Sequence, residues 1–138
     1  MGTGLESGSV ATRLPAQDLE RARRFSAEKL GLEPAEERPG GLLYVIGGGG
    51  AFALFESTGA ASGESTQMGW EVADIDATVG ELRARGVVFE VVDVPGLWTV
   101  DGIARVEGNY PSKGGIGERA AWFRDSEGNL IGVGQRVL

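Results

Sequence analysis

Apolar positions in this chain change period twice in the same order. Val10–Ala16 alternates as a strand does, and the next stretch carries Leu19, Ala22, Phe25 or Ser26, and Leu30 on one helical stripe. Asp18 stands where a helix N-cap belongs, and Gly31 where a helix stops. Leu42–Ile46 and Ala51–Phe55 read as strands around Gly47–Gly50, a hairpin signal. The pattern then restarts. Met68–Val72 reads as a strand, and Asp74 to about Arg85 as a helix with Ile75, Val79 and Leu82 at helical spacing. After Gly86, Val87–Val92 reads as a strand, and Leu97–Val106 as another, broken at Asp101-Gly102. Ala120–Arg124 and Leu130–Gln135 flank Asp125–Asn129, which has the composition of a turn. After its first strand the first copy shows one helix and two strands, and the second shows one helix and four strands. The order is read as βαβββ, twice, an internal repeat of one supersecondary unit with additions in the second copy.

The repeat divides the chain. Residues 1–9 are small, polar and glycine-rich and read as a disordered tail. Residues 10–138 form one domain: module one at 10–56, a Ser-, Thr-, Gly- and Ala-rich linker at 57–66, and module two at 67–138. The modules differ in length. Asp18 and Asp74 lie 56 residues apart, whereas the matched hairpin positions Ala53 and Gly132 lie 79 apart. Module two therefore carries about 23 extra residues, mainly within Val92–Glu118. Long connections are uncommon unless functional or mobile, so this Val92–Glu118 segment is the candidate lid over a site, with glycine-rich Gly108–Glu118 its expected mobile part.

Composition narrows the chemistry. A net charge of -7 argues against sequence-independent nucleic-acid binding and against an anionic membrane surface. No apolar run is long enough to span a membrane, and no signal-peptide pattern opens the chain, so a cytoplasmic location is expected. There is no His and no Cys. That removes disulfides, thiol chemistry and the base a serine nucleophile needs. Asp74 with Asp76 fits a helix N-terminus better than an acid/base pair, and Asp125 with Glu127 fits a turn. Gly115–Ala120 matches a dinucleotide fingerprint only formally, because no helix pattern follows it.

Two segments carry a more specific signal: Phe25-Ser26-Ala27-Glu28-Lys29-Leu30-Gly31-Leu32 within Leu14–Pro34, and Phe123-Arg124-Asp125-Ser126-Glu127-Gly128-Asn129-Leu130-Ile131. In this order, and with the repeat, the chain resembles the vicinal oxygen chelate superfamily of glyoxalase I, bleomycin-resistance proteins and extradiol dioxygenases. The resemblance implies an α+β fold of two βαβββ modules, with curved sheets around a cavity and helices outside. Strand alternation then sets Leu14, Ala16, Phe52, Leu54, Met68, Trp70, Val72, Ile131 and Val133 under the helices. Arg13, Ala53, Phe55, Gln67, Gly69, Glu71, Gly132 and Gly134 fall on the cavity face. Family metalloenzymes hold a divalent ion at places that here are Ala11, Ala53, Gln67 and Gly132. Of these only Gln67 offers a donor, and it is neutral, so no metal and no other cofactor is expected.

The expected function is metal-free binding of a small organic ligand by a homodimer. The expected ligand-binding residues are Arg13, Phe55, Gln67, Glu71 and Trp122, with Trp98 and Tyr110 from the extra segment. Arg13 would meet an anionic group, or else pair with Glu71, and Lys113 reads as solvated. No catalytic residue is assigned. The alternative is a metal-dependent lyase, isomerase or dioxygenase of the same superfamily, with a displaced site built from Glu56, Gln67 and Glu71.

Overall fold

The computed structural model describes residues 4–7, 10–59, 61, 63–107 and 115–138. Module one runs β1 (Thr12–Ala16), α1 (Leu19–Phe25), β2 (Glu36–Arg38), β3 (Gly41–Val45) and β4 (Ala51–Glu56). Its sheet has the order β1-β4-β3-β2, with β1 parallel to β4 and the other pairs antiparallel. Module two runs β5 (Met68–Glu71), α2 (Ile75–Ala84), β6 (Asp93–Val94), β7 (Leu97–Val100), β8 (Ile103–Glu107), β9 (Gly117–Arg124) and β10 (Leu130–Val137). Its sheet has the order β5-β10-β9-β8-β7-β6, with β5 parallel to β10. This is the expected α+β architecture of two curved sheets with helices packed on one side. Leu5–Ser7 form a short 3-10 turn within the stretch expected to be a tail.

The helix starts follow from local chemistry. Asp18 and Asp74 are both extended N-caps, accepting from Arg21 N at 3.0 Å and Ala77 N at 3.1 Å. After Phe25 the first helix widens into a π-helical segment, Ser26–Leu30, which Gly31 closes at φ 70°. The second helix reaches Gly86 at φ 94°. Only glycine adopts such angles without cost, and the two helix ends are also close together. A Cβ on Gly31 would lie 2.9 Å from Arg85 Nη2, and one on Gly86 2.5 Å from Lys29 Nζ. Each helix thus sends a cation to the other's C-terminal end, where the helix dipole favours it.

One core joins both modules. Leu14, Ala16, Leu42, Tyr44, Phe52 and Leu54 from the first sheet meet Ala121, Phe123, Ile131 and Val133 from the second, with Ala22, Ile75 and Val79 from the helices. Tyr44 stacks on Phe52 at 4.9 Å, and Phe52 meets Trp70 edge-on at 5.7 Å. Met68, Trp70 and Val72 are partly buried against this core, as alternation predicts.

Three expectations need correction. Val87–Val92 does not form a strand: only Phe89 makes a bridge, to Phe123, while Val87 and Phe89 are buried. The surplus of module two is largely sheet, because β6, β7 and β8 extend it beyond β9. The break at Asp101-Gly102 is the β7–β8 turn, with φ 52° and 83°. Of the expected lid, β6, β7, β8 and the first two residues of β9, Gly117 and Glu118, are strand, and residues 108–114 lie outside the described residues.

Candidate ligand-binding site

Because both sheets give one face to the shared core, their other faces turn away from it. On the first sheet that face carries Arg13 and Pro15, their β1–β4 partners Ala53 and Phe55, and Leu43 on β3. Arg13 is exposed, and Phe55, Ala53 and Leu43 are half-buried. On the second sheet the register aligns Gly69, Gly132 and Trp122 in one row, and Glu71, Gly134, Ala120 and Ala104 in the next. Gly132, Gly134, Ala120 and Ala104 form a strip of small buried residues on this face, the trough, and half-buried Trp122 lies against its Gly132 end. Glu71 is exposed at the end of β5. It also lines a cavity of about 620 Å³ that includes Gly48 of the β3–β4 turn and Gln135 and Arg136 of β10.

The sequence-predicted residues therefore fall into two sets, Arg13 with Phe55 and Gln67 with Glu71 and Trp122. Among the described residues no hydrogen bond, ion pair or ring contact joins the sets, so Arg13 and Glu71 do not neutralise each other. Gln67 is partly used locally, because its Oε1 accepts from Leu130 N at 3.3 Å. Trp98 is exposed on β7, and the pairing of Thr99 with Ala104 sets it on the opposite face of the sheet from Trp122. Tyr110 and Lys113 lie outside the described residues.

The places where the resemblance implies metal donors do not fit a metal. Ala11, Ala53 and Gly132 carry no donor atom, and a Cβ on Gly132 would already lie 3.1 Å from Thr66 Cγ2 and 3.6 Å from Trp122 Cδ1. The alternative donors are split as well. Glu56 sits near Gly40 on the first sheet, while Gln67 and Glu71 belong to the second. Among the described residues no three His, Cys, Asp or Glu gather as a metal site would require.

Sequence reasoning missed the strongest polar cluster. Glu127 in the β9–β10 turn has a fully buried side chain and accepts from Arg21 Nε at 2.7 Å, Arg21 Nη2 at 2.9 Å, Asp18 N at 3.0 Å and Ser126 Oγ at 2.9 Å. The Arg21 hydrogen bonds hold its carboxyl down at about 2 against the opposing effect of burial. Asn129 Nδ2 donates to Pro15 O at 3.0 Å beside it. Together these fasten the last hairpin to the β1–α1 junction. Asp76 is likewise more than a dipole residue, since Arg119 of β9 grips it at 2.7 and 2.9 Å and lowers its pKa. No signal in the local sequence marks these long-range partners, which are 43 to 114 residues apart.

This geometry has parallels. A glyoxalase/bleomycin resistance protein/dioxygenase from Nocardioides superposes with TM-score 0.62 at 21% identity, covering 95% of this chain and 85% of that one. The corresponding protein from Alicyclobacillus acidocaldarius gives 0.65 at 18%, covering 94% and 92%. A point mutant of the fosfomycin resistance protein FosX from Listeria monocytogenes, crystallised with Mn(II) and a dihydroxypropylphosphonic acid, gives 0.61 at 17%, covering 96% and 92%. At these identities the likeness is one of fold. No curated protein sequence matches the chain. No helix among the described residues is long and apolar enough to cross a membrane. The family model of the glyoxalase/bleomycin resistance protein/dioxygenase superfamily matches residues 8–133, nearly the whole length over which the repeat, the two motifs and the paired sheets were found, and the chain belongs to that superfamily.

Proposed function

We propose that this protein binds a small organic molecule without a metal, as a two-fold homodimer whose sites lie over the trough of the second sheet. The observation that carries the reading is the trough itself. Where metalloenzyme relatives would place donors, this chain has Ala53 and Gly132, and Trp122 and Thr66 lie over the Gly132 position. Those two side chains close over Gly132, so the room for a planar molecule lies over Gly134, Ala120 and Ala104, where the indole edge supplies apolar contact at low entropic cost. Glu71 and Gln67 offer acceptors at the trough edge, and Arg13 is the cation for an anionic group.

What supports the dimer is which way the faces point. Arg13 and Phe55 turn away from the core on one sheet, and Trp122 and Glu71 on the other. A second copy related by a two-fold axis would lay its first-sheet face over this trough, and receive the same in return. The site would then take Arg13 and Phe55 from one protomer and Gln67, Glu71 and Trp122 from its partner. Light scattering at micromolar concentration should give twice the 14.4 kDa chain mass. A monomer would overturn the shared site.

Two measurements test the binding reading. Elemental analysis after mild purification should find no stoichiometric divalent ion, and about one tightly held Zn, Fe, Mn or Ni per chain would instead favour the enzyme alternative. Mass spectrometry of small molecules carried through native purification should reveal the ligand. Arg13→Ala should then weaken an anionic ligand by roughly 1.5–3 kcal/mol, the worth of a charge-assisted hydrogen bond.

A further inference from the structure

On the helix side, remote from the trough, the structure holds a second cleft of about 170 Å³. Its floor is Trp70 and Val133 of the second sheet, and its sides are Leu30 and Leu32 from the end of the first helix and Leu82 from α2. Thr78 and Glu81 stand on the α2 side. The cleft owes its shape to two features already described. The π-helical segment Ser26–Leu30 closes with both Gly31 N and Leu32 N donating to Ser26 O, which carries Leu30 and Leu32 past the regular helical stripe. The two helix ends meet beside it, with Lys29 reaching Gly86 and Arg85 reaching Gly31. Phe52 packs edge-on against Trp70 and fixes the indole that forms the floor.

We propose that this cleft is a binding site for a single-ring aromatic molecule carrying one hydrogen-bond donor, of the phenol class. Size sets the ring count: an apolar cavity of about 150 Å³ takes up one benzene. Wall chemistry sets the ring's apolar character, because the walls facing it are leucine, valine and tryptophan side chains. The donor follows from Glu81, a residue of the lining whose exposed carboxylate is only loosely engaged, 3.7 Å from Arg85 Nε, and so free to swing to the rim. An acceptor there receives a hydroxyl and repels an anion.

The test is a two-dimensional NMR titration of the full-length protein with phenol, benzene and benzoate as probes. Phenol should give saturable shifts confined to Trp70, Val72, Leu82 and their neighbours, with Kd of about 1 mM or tighter. Benzene should bind less tightly, and benzoate at least about tenfold less tightly than phenol. Glu81→Gln, a surface change, should narrow the gap between phenol and benzoate while leaving benzene unaffected. Thr78→Phe, filling the cleft from its rim, should weaken all three. If Thr78→Phe does not fold, Glu81→Gln alone still decides the matter. Shifts that never saturate, that centre on Trp122 instead, or that ignore Glu81→Gln would overturn the proposal.

Discussion

Glu127→Gln should destabilise the protein by roughly 2–3 kcal/mol at neutral pH, the range for hydrogen bonds to a buried charged group. The side chain is fully buried and carries four hydrogen bonds, including both from Arg21, so the amide forfeits charge and one acceptor at once. Arg21 remains half-exposed and is rehydrated, which keeps the cost below that of stranding a buried cation. The effect has a pH signature. The Glu127 carboxyl is lowered from 4.5 to about 2, so its contribution is complete above the unfolded value and is lost as pH falls from about 4.5 through 2. Asp76, lowered by Arg119, acts in the same sense at the surface. Asp125, raised by burial, acts in the opposite sense and trims the net fall. Urea unfolding of parent and variant should therefore differ most at neutral pH and converge toward pH 2. A constant difference across that range would mean that the carboxylate charge is not what holds the hairpin.

What the sequence made legible is what local chemistry decides. Asp18 and Asp74 cap their own helices three residues on, and Gly31 and Gly86 end them through their own φ angles, so these features need no distant partner. The core face was legible because alternation assigns it before any packing is known: Leu14, Phe52, Leu54, Ile131 and Val133 are all buried. The misses have physical reasons of the opposite kind. Strand β2, Glu36–Arg38, is exposed along its whole length and has no apolar period to detect. Val87–Val92 has the apolar period of a strand, yet the burial of Val87 and Phe89 satisfies it without a ladder. In the extra segment Leu97–Val106 was legible as strand, but two-residue β6 was too short to detect, and Trp98 lies on the face away from Trp122 because one residue of register reverses every side chain. Within the candidate site, the missing metal donors were visible as letters in the sequence. The separation of Arg13 and Phe55 from Gln67, Glu71 and Trp122 was not, because it depends on how the two modules share their core.

That separation leads to the most discriminating expected result. If each site draws Arg13 from one protomer and Trp122 from its partner, Arg13→Ala and Trp122→Ala damage the same site from opposite chains. Each homodimeric variant then has two impaired sites. The mixed dimer has one site lacking both groups and one lacking neither. Unfolding and refolding an equal mixture gives about half mixed dimers, so about a quarter of all sites should regain the parent affinity. Losing the indole from a desolvated pocket and the guanidinium from an anionic ligand each cost on the order of 2 kcal/mol, about thirtyfold, so restored sites stand out clearly in a binding isotherm. Stability should barely respond, because Arg13 is exposed and Trp122 half-buried on the face away from the core. Two impaired variants that stay impaired after mixing, while light scattering shows that chains have exchanged, would place both residues in a site contained within one chain.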